Sequence, residues 1–345
     1  MKKLNLYEEN GYPAVKELLA LPTPYIYGVG ARQIGKTYSL LQELVKSGIM
    51  FAYVRRTDKI IDMVCGEAFS IFKELNEANH WDIHAKKENG IYTWIDKKFS
   101  DDSNLWRAVG YSFAMLSVSN LRGFGATDID VVFYDEFITE IHERRVRGEF
   151  DAYMNAYSTI NRNRELQGRK PLKFICMANS NNLASPILMG AGLIETYEKM
   201  LRTGKEYTID YRRGITCINY ANSPISQKLK ETALYKATKG SDFAGMAFEN
   251  NFAYNDYSFV ENRPLMEYTP LHCVGNITIL KHKSRDELYC IKKKLPCKKH
   301  YTNALASLEQ WQRENILLYA YYIDGAMFFD SMLTKTLFLQ YWRGK

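Results

Sequence analysis

Residues 30–37 read Gly-Ala-Arg-Gln-Ile-Gly-Lys-Thr, an unbroken match to GxxxxGK[ST]. A β-prone run, Tyr25 to Val29, precedes it, and helical spacing, Thr37 to Ser47, follows it. That context turns a short motif into a phosphate-binding loop. Gly30 and Gly35 let the chain curl, so the N–H groups through Ala31, Arg32, Gln33 and Ile34 can face phosphate oxygens. Lys36 brings a point charge to the β- and γ-phosphates, and Thr37 offers a hydroxyl to Mg²⁺. The helix that starts there adds its positive end. Residue frequencies give about 0.01 chance matches in a chain of this composition. ATP and Mg²⁺ are the cofactors expected.

The fold follows from what surrounds the loop. Apolar runs at Ile49–Val54, Ile91–Ile95, Asp130–Tyr134 and Leu172–Met177 alternate with helical patterns at Met63–Ala78 and Phe150–Leu166. This alternation predicts an α/β domain with a mainly parallel sheet over residues 1–201. Gly204, Gly214 and Ser223-Pro224 punctuate a polar stretch, read as a linker subdomain over 202–230. Residues 231–345 read as a second α/β domain, with strand-like runs at 276–281 and 288–292 and helical patterns at 303–323 and 331–342.

Val131-Val-Phe-Tyr-Asp-Glu136 is a buried strand ending in two acids. In P-loop ATPases such a strand holds Mg²⁺ through water with its first acid, here Asp135. The second, here Glu136, polarises the attacking water. A glutamate in that place favours hydrolysis over phosphoryl transfer to a small acceptor. Asn179, at the end of the LKFICMAN run, is placed to sense the γ-phosphate; a turn-forming role in Asn179-Ser-Asn-Asn182 is its plain alternative. Arg162 and Arg164 close a predicted helix, where an arginine either meets a neighbour's phosphates or sits at the helix's negative end. Arg55, Arg56, Arg144, Arg145 and Arg147 are rivals for the first role. Arg122, in the glycine-flanked run Ser119-Asn-Leu-Arg-Gly123, suits a phosphate or DNA-backbone contact.

Charge points the same way. The chain has 345 residues and a net charge of +7. Residues 201–345 carry 21 Lys+Arg against 14 Asp+Glu, so 21 − 14 = 7 and the whole excess lies there. Lys292, Lys293, Lys294, Lys298 and Lys299 fall in one run. Such a half suits a polyanionic partner, although a charge run also serves as a solvated face. Six cysteines in a chain of this length are no disulfide framework. Cys273, Cys290, Cys297, His272 and His300 match no familiar zinc spacing. No apolar stretch approaches the ~18 residues of a membrane span, and the start does not read as a secretory signal.

Taken together, GARQIGKT, FAYVRR (51–56), VVFYDEFI (131–138), the RNRE run (162–165) and FICMANS (174–180) resemble, in the same order, the DNA-packaging ATPases of small, protein-primed, short-tailed phages. FENNFAYND (248–256) is similar to that family's entry into its C-terminal domain, and the resemblance covers most of residues 25–262. It implies a RecA-like ASCE ATPase domain that works as a homo-oligomeric ring, a pentamer, at the portal vertex of a prohead in the host cytoplasm, driving double-stranded DNA inward. It implies Arg162 as a trans-acting arginine finger and leaves a packaging RNA open as a partner. It also implies an RNase H-like C-terminal domain. The expected first strand of that domain, Cys273–Lys283, holds no Asp or Glu, so a vestigial nuclease is expected, with its lysines contacting DNA, RNA or the portal. An active terminase-type nuclease and an ATP-switched assembly factor are the alternatives.

Overall fold

In the computed structural model, residues 4–98, 106–117, 128–140, 148–250, 252 and 255–343 are described. The strands of the first part are β1 Tyr25–Gly30, β2 Phe51–Arg55, β3 Ile83–Glu88, β4 Ile91–Asp96, β5 Arg107–Ala114, β6 Val131–Asp135, β7 Lys173–Asn179, β8 Tyr207–Asp210 and β9 Ile215–Tyr220. They form one sheet in the order β3-β4-β5-β2-β6-β7-β1-β9-β8. From β5 to β9 every neighbouring pair is parallel, and the hairpins at both edges run antiparallel. Strands β6 and β9 are buried along their whole length, as expected of parallel strands covered on both faces.

This order positions the site. β7 lies between the phosphate-loop strand β1 and the acidic strand β6, and Gly30 pairs in register with Asn179. The loop, Asn179 and Asp135 therefore share the carboxyl edge of the sheet, where open α/β sheets bind ligands. The helix Lys36–Lys46 begins after Gly35, whose φ of +80° suits only glycine well, and buries Leu40, Leu41 and Leu44 against the sheet. At ~1.5–3 kcal/mol per buried large aliphatic or aromatic side chain, this face fixes the loop's exit direction.

Three expectations change for residues 1–254. The stretch read as a linker supplies β8 and β9, and β9 is the other neighbour of β1. Its glycines mark hairpin and helix ends: Gly214 opens β9 and Gly204 closes the helix Ile194–Thr203. The chain divides into units 1–254 and 255–345, so residues 231–254 go with the first unit rather than with the second domain. The single helix expected over Met63–Ala78 is two, Asp58–Cys65 and Lys73–Asn79, because Gly66 takes an extended conformation between them.

The second unit is a five-stranded mixed sheet in the order β13-β10-β11-β12-β14, with β10 Tyr268–Val274, β11 Ile277–His282, β12 Leu288–Ile291, β13 His300–Tyr301 and β14 Met327–Phe329. Helices Leu305–Glu314, Leu318–Ile323 and Met332–Arg343 supply Leu308, Trp311, Leu318 and Phe338 to its core. Cys273–Lys283, expected as one strand, is a hairpin: Gly275 at φ +52° turns the chain between β10 and β11. No helix among the described residues is long and apolar enough to cross a membrane.

Candidate nucleotide-hydrolysis site

The loop is curled as its glycines suggest, with Gln33 at φ 59° and Gly35 at φ 80°. Lys36 folds back over it. Its ammonium donates to the carbonyls of Gly30 at 3.2 Å and Ala31 at 2.5 Å, and to Asn179 Oδ1 at 3.0 Å. Burial pulls its pKa down to about 8, against the opposing charges of Asp135 and Glu136. Asn179 is thus joined to the loop lysine rather than spent on a turn.

Thr37 Oγ1 donates to Asp135 Oδ2 at 2.9 Å, so residues 98 apart in sequence converge. Tyr53 donates its hydroxyl to the same oxygen at 3.0 Å from β2. A hydroxyl beside a carboxylate is a hard oxygen pair of the kind Mg²⁺ prefers. Residues and ion therefore fit.

Glu136 follows β6 in a left-handed conformation, φ 54°, rare for a residue with a side chain and concentrated at functional sites. Its carboxylate pairs with Arg55, the last residue of β2. Although 46% exposed, the side chain is crowded by protein. Lost hydration raises its pKa, Arg55 opposes this, and Asp135 and Glu140 add to it. A small cleft there is lined by Arg55, Arg56, Ile60, Glu136, Ile138, Glu140, Asn179 and Asn181.

The arginines separate by environment. Arg164 is 3% exposed and binds the Ile129 carbonyl and Asp130, a structural role. Arg56 is buried against Glu149. Arg162 is exposed and caps the helix Glu149–Asn161 at φ 44°. Arg55, a rival for the trans role, instead lies in the site of its own chain. Arg32 pairs with Glu140, which lines the same cleft. Tyr53, Glu140 and Asn181 escaped sequence reasoning, since only strand order brings them to the site. Arg122, Arg144, Arg145 and Arg147 lie outside the described residues. Lys292, Lys293, Lys294, Lys298 and Lys299 are exposed in the second unit, and Lys299 pairs with Glu314. Among the described residues no group of three His, Cys, Asp or Glu could hold a metal ion.

The podovirus DNA encapsidation protein family (Gp16) matches over residues 9–272. The chain belongs to this family. Two solved structures share the fold of this encapsidation protein along nearly its whole length. One, titled the bacteriophage Phi-29 viral genome packaging motor assembly, is 15% identical, covers 99% of each chain and has a TM-score of 0.65. The other, titled the Phi-28 gp11 DNA packaging motor, is 17% identical, covers 97% of this chain and 98% of the other, and has a TM-score of 0.61. No curated protein matches. The agreement extends through the second unit, where the sequence resemblance had faded.

Proposed function

We propose that this member of the encapsidation family is an ATP-hydrolysing motor that translocates double-stranded viral DNA into a prohead. The observation that carries it is the convergence of Lys36, Thr37, Asp135, Glu136 and Asn179 at one sheet edge in a family of DNA encapsidation proteins. Lys36 and the loop N–H groups hold the β- and γ-phosphates, except that of Arg32, which against expectation donates to the Ala247 carbonyl; Asn179 steers the Lys36 ammonium. Thr37 and Asp135 would hold Mg²⁺, which would offset phosphate charge. Glu136 accepts a proton from water as that water's oxygen bonds to the γ-phosphorus and the bond to the ADP oxygen breaks. For this the carboxylate must leave Arg55. Arg162, exposed and preset at a helix end, reaches the phosphates of a neighbouring subunit in a ring, taken to be a pentamer at the portal vertex, in the host cytoplasm.

The second unit serves contact rather than cleavage. Asp256 pairs with Lys335, Glu261 and Glu287 with Arg263, and Asp286 with Lys281, so these acids are committed to cations of their own unit. Its lysine run would meet DNA, a packaging RNA or the portal.

The deciding experiment is steady-state ATPase activity with and without double-stranded DNA. DNA should accelerate turnover, Lys36→Ala should abolish it, and plasmid incubated with Mn²⁺ should stay uncut. Turnover indifferent to DNA in assembled prohead complexes would favour an ATP-switched assembly factor.

A further inference from the structure

Residues 223–248 fold as three short helices, Pro224–Leu229, Ala233–Thr238 and Asp242–Phe248. Ser223, Thr232 and Ser241, nine residues apart, cap them by accepting from the N–H groups of Ser226, Tyr235 and Ala244. Ala244, Met246, Ala247 and Phe248 form their core, with Leu229, Tyr235 and Phe243 packed against it.

This cluster is bonded to the nucleotide site at two points. The Arg32 N–H, in the phosphate loop itself, donates to the Ala247 carbonyl at 2.9 Å. The Ser180 hydroxyl, next to Asn179, donates to the Met246 carbonyl at 3.3 Å. The Arg32 guanidinium also lies 5.9 Å from the centre of the Phe243 ring. The third helix is therefore hydrogen-bonded both to the phosphate loop and to the strand end beside Asn179.

The outer surface of the same cluster is basic. Residues 223–248 carry Lys228, Lys230, Lys236 and Lys239 against two acids, Glu231 and Asp242. Lys228, Lys236 and Lys239 are exposed and Lys230 is half-buried. No ion pair engages any of the four among the described residues. Lysines on short, separately capped helices supply charge without base-reading geometry, which suits a duplex of any sequence.

We infer that the three-helix cluster 223–248 is a DNA-contact element, gripping the phosphate backbone of double-stranded DNA through Lys228, Lys230, Lys236 and Lys239. The inference rests on the motor reading and adds to it a grip bonded to the phosphate loop. Charge density favours duplex phosphates here over a protein partner.

The test uses full-length protein and a random-sequence DNA duplex. Affinity is measured by fluorescence anisotropy across a salt series, beside ATPase activity. The variant with all four lysines changed to alanine should lose most DNA-stimulated turnover and keep DNA-free turnover. Its slope of log affinity against log salt should fall by about two to four, near 0.9 for each phosphate that a lysine no longer neutralises. A second variant, with all four changed to arginine, should retain both, which guards against misfolding. An unchanged salt slope in the alanine variant overturns the inference. So does equal loss in the alanine and arginine variants, because charge is then not what matters. If the parent protein shows no DNA stimulation even in assembled prohead complexes, the motor reading fails, and the salt slope still judges the DNA grip.

Discussion

Arg55, the last residue of β2, holds the carboxylate of Glu136, the residue that follows β6, across two adjacent parallel strands. The proposed general base is thus tethered by a cation of its own chain. The tether and the base's unusual backbone, φ 54°, together define a resting position that catalysis must alter.

Removing the tether should show in a pH profile. Arg55 lowers the pKa of Glu136, while burial, Asp135 and Glu140 raise it. In Arg55→Ala the base of the free enzyme should protonate at higher pH, so the acidic limb of kcat/KM should move upward. An acidic limb that stays in place would separate Glu136 from the rate.

Lys36 should take up a proton when nucleotide binds. Its pKa in the free site is about 8, lowered by burial. Phosphate charge must raise it again, so ATP affinity should decline as pH climbs through about 8. Calorimetry at pH 8.5 in two buffers of different ionisation enthalpy should reveal uptake of up to about three quarters of a proton per ATP. Equal heats in the two buffers would contradict this.

Arg162 and Arg164 should behave oppositely although they stand two residues apart. Arg164→Ala leaves the Ile129 carbonyl without its partner and should lower stability by about 1–3 kcal/mol. Arg162→Ala should leave the melting temperature nearly unchanged and abolish ring ATPase activity. Mixing it with Glu136→Gln protein should restore part of that activity if the arginine acts across subunits. Verified mixed rings without restoration would exclude the trans role.

The second unit should lose stability in mild acid. His272 is 2% exposed and accepts from the indole Nε1 of Trp311 at 2.8 Å. Burial, then Lys299, depresses its pKa to about 4 from an ordinary 6.5, with Glu314 opposing. The unfolded chain therefore binds more protons between these values. The stability from neutral His272 is complete above pH 6.5 and is lost as pH falls towards 4. Denaturant midpoints should decline over that window, and less so in His272→Gln. Parallel pH dependences would remove His272 from the account.

The sequence alone determined the chemistry available to this protein. The loop, the acidic strand and Asn179 are legible because each is local: glycine geometry, a hydroxyl after a lysine, acids ending an apolar run. It also determined that the first two hundred residues alternate strand and helix. Tertiary structure decided which distant residues meet. Strand order is set by packing over the whole sheet, and no short window contains it. For that reason β9 passed for a linker, Arg55 for a trans-acting candidate, and Tyr53 and Glu140 went unnoticed. Burial made the last distinction, between Arg162 and Arg164, because exposure depends on what covers a helix end rather than on the residues that form it.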